Sequence, residues 1–218
     1  MINLRGADRK TFSQNGEDGI LEKILETIGT TSKYFVEIGV GNGDECNTRL
    51  LRKNGWKGLM VDSEHYNPNV GIRREFVDAE NVNGILSKYK VPQEFDVLSI
   101  DIDGNDYWVW KAISYQPRVV VIEWNCSISP FRALSIPYSP AFAWDQTCYY
   151  GASILALTRL GERKGMVLVA ADKRATNLFF VRAEYAHLFE GAGYIEAIYP
   201  DWHWSHPEDQ QKREYVEV

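Results

Sequence analysis

No stretch of this 218-residue chain approaches the roughly 20 consecutive apolar residues of a membrane-spanning helix, so no transmembrane segment and no membrane partner are expected. Residues 1–11 are polar and lack the apolar core of a secretion signal, which gives the expectation of a cytoplasmic protein. Cysteine is scarce. Cys46, Cys126 and Cys148 form an odd set without Cys-x-x-Cys spacing, which argues against a disulfide framework and against a zinc cluster. Positive charge is short as well: 24 Lys and Arg stand against 30 Asp and Glu, a net charge of −6 that disfavours a broad electrostatic grip on nucleic acid. Internal repeats and low-complexity tracts are missing too. What is present, 44% hydrophobic and 13% aromatic residues, is enough for one folded domain spanning 1–218.

Short apolar runs alternate with helix-like stretches, the pattern of an α/β protein with a parallel sheet covered on both faces. A helix is expected over residues 15–28, with Asn15 as its cap and Gly29 as its stop. Strands are expected at 34–40, 58–61, 74–77, 95–102 and 118–124, with intervening helices at 44–53, 82–89 and 107–113. A helix at 151–164 precedes two strands, 166–170 and 178–181, close enough for an antiparallel hairpin across Asp172-Lys173-Arg174. The fold class is therefore a Rossmann-like, seven-stranded, mostly parallel sheet with an antiparallel C-terminal hairpin. Residues 126–149, rich in proline and aromatics, break the rhythm; they are a candidate lid, or a connector whose aromatics pack on the core.

The most informative segment is Val36-Glu37-Ile38-Gly39-Val40-Gly41-Asn42-Gly43-Asp44, a strand that turns through glycines. A dinucleotide site wants G-x-G-x-x-G and a helix N-terminus for the pyrophosphate. Here the third glycine comes one residue early, and Asp44 would repel phosphate. Glu37 favours a cationic ligand instead. Asp62, with Ser63 beside it, lies 21 residues beyond Gly41; Asp78-Ala79 and Asp101 follow the next two strands.

This arrangement resembles the class I S-adenosylmethionine-dependent methyltransferases, whose first motif E-x-G-x-G-x-G follows the first strand. The resemblance implies that Glu37, Gly39, Gly41, Asp62, Ser63, Asp78, Ala79 and Asp101 form the donor site, with Asp62 on the ribose hydroxyls and Asp78-Ala79 by the adenine. Within that superfamily the chain is similar to the FkbM-like family in Ile100-Asp101-Ile102-Asp103-Gly104, in Ser13-Gln14-Asn15-Gly16-Glu17-Asp18-Gly19, in Tyr150-Gly151-Ala152-Ser153 and in Asn177-Leu178-Phe179-Phe180-Val181. That likeness implies a hydroxyl of a sugar or related small molecule as acceptor, a sugar nucleotide included. Gln14 reaching the donor's methionyl end and Asn15 merely capping a helix are both open readings of the early run.

Asp101 and Asp103 at one strand end, and Glu123 and Asn125 at the next, are each spaced by two and can converge. Oxygen ligands of this kind suit Mg²⁺ or Mn²⁺, and Asp103, Glu123 and Asn125 are the candidate ligand set. Similar acids in catechol O-methyltransferase-like enzymes hold an ion that lowers the acceptor's pKa. Without an ion, Asp101 would hold the donor's amino group and Glu123 the acceptor. Asp103, Glu123 and His203 are the candidate catalytic residues, with His65 and His206 as further bases. The segment Asp201-Trp202-His203-Trp204-Ser205-His206 could fold over the site or dock by its tryptophans alone. The rival readings are an NAD(P)-binding oxidoreductase and a non-catalytic binding protein. A nucleic-acid methyltransferase is disfavoured, since no Asn-Pro-Pro-Tyr or Asp-Pro-Pro-Tyr follows the fourth strand. Oligomeric state is open, a homodimer included.

Overall fold

The computed structural model describes residues 1–200 and 206–218. The chain begins with α1 (Glu17–Ile28), β1 (Tyr34–Ile38), α2 (Arg49–Lys53), β2 (Lys57–Asp62), β3 (Ile72–Arg74), α3 (Val82–Lys88), β4 (Glu94–Ile100) and α4 (Asp106–Ala112). It continues with β5 (Gln116–Glu123), β6 (Leu134–Ser135), α5 (Ile154–Arg163), β7 (Met166–Ala171), β8 (Asn177–Arg182), α6 (Ile195–Ile198) and β9 (Val216–Glu217). Seven strands form one sheet in the order β3-β2-β1-β4-β5-β8-β7. The first five are parallel, and β8 runs antiparallel to both β5 and β7. This is the expected α/β fold, hairpin included. The two-residue strands β6 and β9 pair separately.

The sheet grows outward from β1 to β3, then returns to lay β4 on the other side of β1. The reversal opens a crevice between the carboxyl ends of β1 and β4, where open α/β sheets bind ligands. The central strands are near-continuous apolar runs, such as Val119-Val120-Val121-Ile122, because both faces are covered. On one face Ile20, Leu21, Ile24 and Leu25 of α1 pack on Phe35, Val97, Val121 and Phe179. On the other, Leu86 of α3, Trp110 of α4 and Leu157 of α5 pack on Val36, Leu98, Ile122 and Phe180. Each such side chain contributes about 1.5–3 kcal/mol by leaving water.

Several expected boundaries change. The first helix begins at Glu17, not at Asn15: Gly16 at its N-terminus has φ 104°, and Asn15 caps nothing. Its amide nitrogen instead donates to Thr176 Oγ1 at 3.0 Å. The second helix spans only Arg49–Lys53, because Gly39, Gly41 and Gly43 all take positive φ and keep the chain irregular up to Thr48. The third strand is Ile72–Arg74 and not 74–77; Ile72 is buried, whereas Phe76 is exposed and could not sit inside a sheet. Within 126–149 there is one short strand, β6.

A charged clasp ties α1 to the far end of the sheet. Asp96 on β4 accepts from the backbone N–H groups of Thr31, Ser32 and Lys33 and from Arg118 at 2.8 Å. Arg118 on β5 also donates to the carbonyls of Ile28 and Gly29, where a helix C-terminus favours a cation. Burial would raise the Asp96 pKa, but the Arg118 bond and the backbone donors outweigh it and hold it below the usual range. Asp96→Ala leaves a buried guanidinium unpaired, so it should cost about 3–5 kcal/mol. Urea unfolding checks this, and a loss under about 1 kcal/mol would mean the pair is replaceable by water.

Candidate active site

Strand alternation sets the site. Phe35, Val97, Val121 and Phe179 face α1, so Glu37, Ser99, Glu123 and Asn177, each two residues away along its strand, face the same way. Register aligns them across the sheet tips: Glu37 pairs with Ser99, and Glu123 with Asn177. Asp101 follows two residues beyond Ser99. The first turn of α1 covers the row. Glu17 Oε1 accepts from Asn177 Nδ2 at 3.1 Å, and its other oxygen accepts from Asn15 N–H at 2.7 Å.

Most carboxylates at this end hold backbone. Both Glu37 oxygens are engaged, by Asn47 N–H at 2.6 Å, Thr48 N–H at 3.0 Å and the Thr48 hydroxyl, which fixes the chain ahead of α2. Burial nevertheless raises its pKa. One oxygen of Asp18 gathers the N–H groups of Thr11, Phe12 and Ser13 and the Ser13 hydroxyl. Asp106 accepts from Ile102 and Gly104 N–H, both at 2.9 Å, and shapes the turn after β4. Burial pushes its pKa up to about 6. Asp78 Oδ1 accepts from Glu80 and Asn81 N–H, both at 2.8 Å, ahead of α3.

Asp62, the last residue of β2, does two things. Its Oδ1 accepts from Glu64 N–H and His65 N–H and pairs with His65 Nδ1, each at 2.9 Å, while Oδ2 accepts from Gly41 N–H at 2.8 Å. Burial raises its pKa, but these bonds together bring it below the usual value. The glycine loop is thus hung on Asp62. A Cβ on Gly39 would lie 1.6 Å from the Asp101 carbonyl oxygen, so no other residue lets β1 and β4 approach this closely. A Cβ on Gly41 would meet nothing within 4 Å, which leaves that peptide open to a ligand.

Three carboxylates are not spent in this way. Asp101, Asp103 and Glu123 each offer an oxygen within 4.8 Å of the others. Asp101 is raised well above its ordinary pKa by burial and then by the charges of Asp103, Asp106, Glu17 and Glu37. Glu123 is raised by burial and then by Asp101, Asp106 and Asp103. Asp103, held at φ 56° and exposed at the rim, is raised by partial desolvation and by Asp62, with His206 pulling the other way. Glu123 Oε2 is buried and has no hydrogen-bond partner among the described residues. Crowded carboxylate oxygens, with Glu123 Oε2 unpartnered among the described residues, fit a cation, and their all-oxygen chemistry fits a hard divalent ion.

The remaining expected residues lie as follows. Asn125 does not join the trio. Its amide nitrogen donates to the carbonyls of Cys148 and Tyr150 and to the Tyr215 hydroxyl, and its oxygen accepts from Ser127 N–H, so it anchors the following segment. Gln14 is exposed and Ser63 sits at the surface, its carbonyl accepting from Arg74. Ala79 is half-buried beside Asp78. His65 is committed to Asp62, and His203 lies outside the described residues. His206 lies 5.0 Å from the Trp144 ring and 5.5 Å from the Tyr150 ring, centre to centre, within the field of Asp103.

Residues 126–149 cross the tips as a wall. Phe142 lies where a Cβ on Gly104 would be, and Tyr138 packs on Trp108 and feels the charge of Asp78. The chain's end ties this wall down: Tyr215 donates to the Cys148 carbonyl at 2.7 Å, and Arg213 lies 4.3 Å over the Tyr149 ring. Sequence reasoning missed Asp106, Asn177 and the roofing role of Glu17. Cross-strand register and helix placement bring them in, and local periodicity encodes neither. A cavity of about 610 Å³ lies at the opposite end of the sheet, lined by Trp110, Pro117, Lys164 and Arg182, away from all these groups.

Asp172, at the β7–β8 turn, is buried beside Glu17, and these two effects push its pKa up to about 7. The folded chain then keeps a proton that the unfolded chain releases near its ordinary value of 3.8, so stability falls as pH rises between the two and levels off above about 7. Urea midpoints should drop from about pH 5 to about pH 8, with a smaller drop in Asp172→Ala. A midpoint that rises over this interval only when Asp172 is present would mean that it folds charged.

No family model matches the chain, and no curated protein does. Among solved structures, the pyocyanin biosynthetic protein PhzM aligns with a TM-score of 0.37 at 14% identity, over 74% of this chain and 54% of its own. This chain thus spans about half the length of that protein, and a likeness at this level bears on neither activity nor substrate. Among the described residues no helix is long and apolar enough to cross a membrane.

Proposed function

We propose that the chain is an S-adenosylmethionine-dependent O-methyltransferase acting on a hydroxyl of a sugar, glycoconjugate precursor or related small molecule. The carrying observation is a glycine loop hung on Asp62 at the β1/β4 reversal, beside carboxylates that hold no backbone. The donor carries a sulfonium and an ammonium, and both are favoured by this field. A dinucleotide is not: α2 starts at Arg49, so no helix N-terminus stands directly behind the loop to receive a pyrophosphate. The acceptor class rests on the resemblance to FkbM-like enzymes.

When bound, the donor supplies an electrophilic methyl carbon that passes in line to an oxygen, so the protein's main task is alignment. Gly41 lets the ligand come close to the backbone. Asp62 Oδ2 accepts from one backbone N–H and has room for a ribose hydroxyl. Without an ion Asp101 is the group for the ammonium, and in either case Asp103 and Glu123 face the acceptor. The acceptor's proton needs a destination. A divalent ion held by Asp101, Asp103 and Glu123 would lower the hydroxyl's pKa; His206 beside Asp103 is the second candidate, favoured by its seat between Trp144 and Tyr150.

Calorimetric titration tests the donor site. S-adenosylhomocysteine should bind and NAD⁺ should not. Asp62→Ala should weaken the former by about tenfold to a hundredfold, the worth of a hydrogen bond to a charged group. No binding of S-adenosylhomocysteine with or without Mg²⁺, or parental binding in both Asp62→Ala and Asp78→Ala, would remove the donor pocket from this loop.

A further inference from the structure

We infer that Asn177 completes a divalent-cation site with Asp101, Asp103 and Glu123, and that Asn177, not Asn125, supplies its amide oxygen. The inference rests on the proposed function in locating the ion at the acceptor end of that site, but the site is readable without turnover.

Four observations converge. First, the carboxylate oxygens of Asp101, Asp103 and Glu123 all lie within 4.8 Å of one another. Opposite oxygens around Ca²⁺ stand about 4.6–5.2 Å apart, and around Mg²⁺ about 4.0–4.2 Å, twice the respective bond lengths. The trio therefore fits inside a calcium-sized shell and needs only a few tenths of an ångström of contraction for a smaller ion. Second, Asn177 is directly paired with Glu123 across β5 and β8, so the two side chains are neighbours on the α1 face.

Third, each neighbour carries an orphan. Among the described residues Glu123 Oε2 and Asn177 Oδ1 are both buried without a hydrogen-bond partner, and Asn177 is only 2% exposed. Both atoms are acceptors, so neither can satisfy the other while Glu123 is ionised; a shared cation satisfies both. Fourth, the Asn177 amide is already oriented. Its nitrogen is held by Glu17 Oε1 at 3.1 Å, which fixes the side chain with its oxygen unspent. Asn125 has the opposite bookkeeping, with both ends of its amide taken by the segment that follows β5. Glu17 thereby acts as a positioning residue behind the amide ligand.

The test is a Mn²⁺ titration of the full chain followed by electron paramagnetic resonance, in which the free-ion signal falls as Mn²⁺ binds. The parent should bind one ion. Asn177→Ala should weaken binding about tenfold or more, the scale on which a metal site responds to a lost supporting group. Asn177→Asp, which keeps an oxygen in place, should retain it, and Glu123→Gln should lose most of it. Thermal melts of each variant establish that it is folded. Three results would overturn the inference: no Mn²⁺ binding by the parent, which would mean a proton on Glu123 closes the pair; parental binding in Asn177→Ala; or equal loss in Asn177→Ala and Asn177→Asp. Calorimetry with S-adenosylhomocysteine in EDTA separates the two readings. Donor binding without Mn²⁺ binding removes the ion site alone, and Asn177-dependent Mn²⁺ binding without donor binding upholds the ion site while removing the methyltransferase reading.

Discussion

Like charges forced together at the carboxyl tips of the sheet govern this structure. Glu37 on β1, Asp101 after β4, Glu123 on β5 and Glu17 on the first turn of α1 are set on one face by alternation and register, with Asp103 and Asp106 on the adjoining turn. Carboxylates in low dielectric at such separations resist ionising together. The region must therefore hold protons, donors or a cation, and which of the three it holds at each residue separates scaffold from site.

That sorting can be done side chain by side chain. Glu37, Asp18, Asp106, Asp78 and Asp172 each collect two or more donors from nearby backbone, and each fixes a particular turn or helix entry. N–H dipoles offset part of the cost of burying these carboxyls, although burial still leaves Glu37, Asp106 and Asp172 with raised pKa values. Among the described residues Asp101, Asp103 and Glu123 gather no such set of backbone donors, and these three crowd one another. The backbone-holding acids thus shape the crevice while leaving a concentrated negative field in it. At the other end of β4 and β5, the clasp of Asp96 and Arg118 shows how the same fold buries a charge when it intends no ligand: partner, backbone donors and helix carbonyls are all supplied.

The fold was legible from the sequence because its strands are continuous apolar runs and its hairpin is local. Loops were harder. The glycines of residues 39–43 were visible, but the late start of α2 depends on Glu37 capturing Asn47 and Thr48, a contact between a strand and a loop that periodicity does not encode. Asn15 looked like a helix cap, yet Gly16 in the left-handed region turns it away toward Thr176. Within the candidate site, the pairs spaced by two, Asp101 with Asp103 and Glu123 with Asn125, were readable from strand geometry. Where Asn125 points was not, because the chain's last residues, through Tyr215, help to hold it. Asn177 was unreadable as a site residue for the same reason: its relation to Glu123 exists only through the β5–β8 register.

On the proposed methyltransferase reading, the field also constrains the acceptor. A neutral sugar would enter beside Asp103 and Glu123 by hydrogen bonding, without adding charge to the field. A sugar nucleotide brings a diphosphate to a region whose carboxylates already repel one another, and that repulsion is large where water is thin. It becomes favourable only if a cation intervenes, and a cation on Asp101, Asp103 and Glu123 would be placed to do so. Ion dependence and acceptor charge are therefore one question at this site. An acceptor without phosphate leaves the ion the single task of acidifying a hydroxyl; one with phosphate makes it part of substrate binding as well.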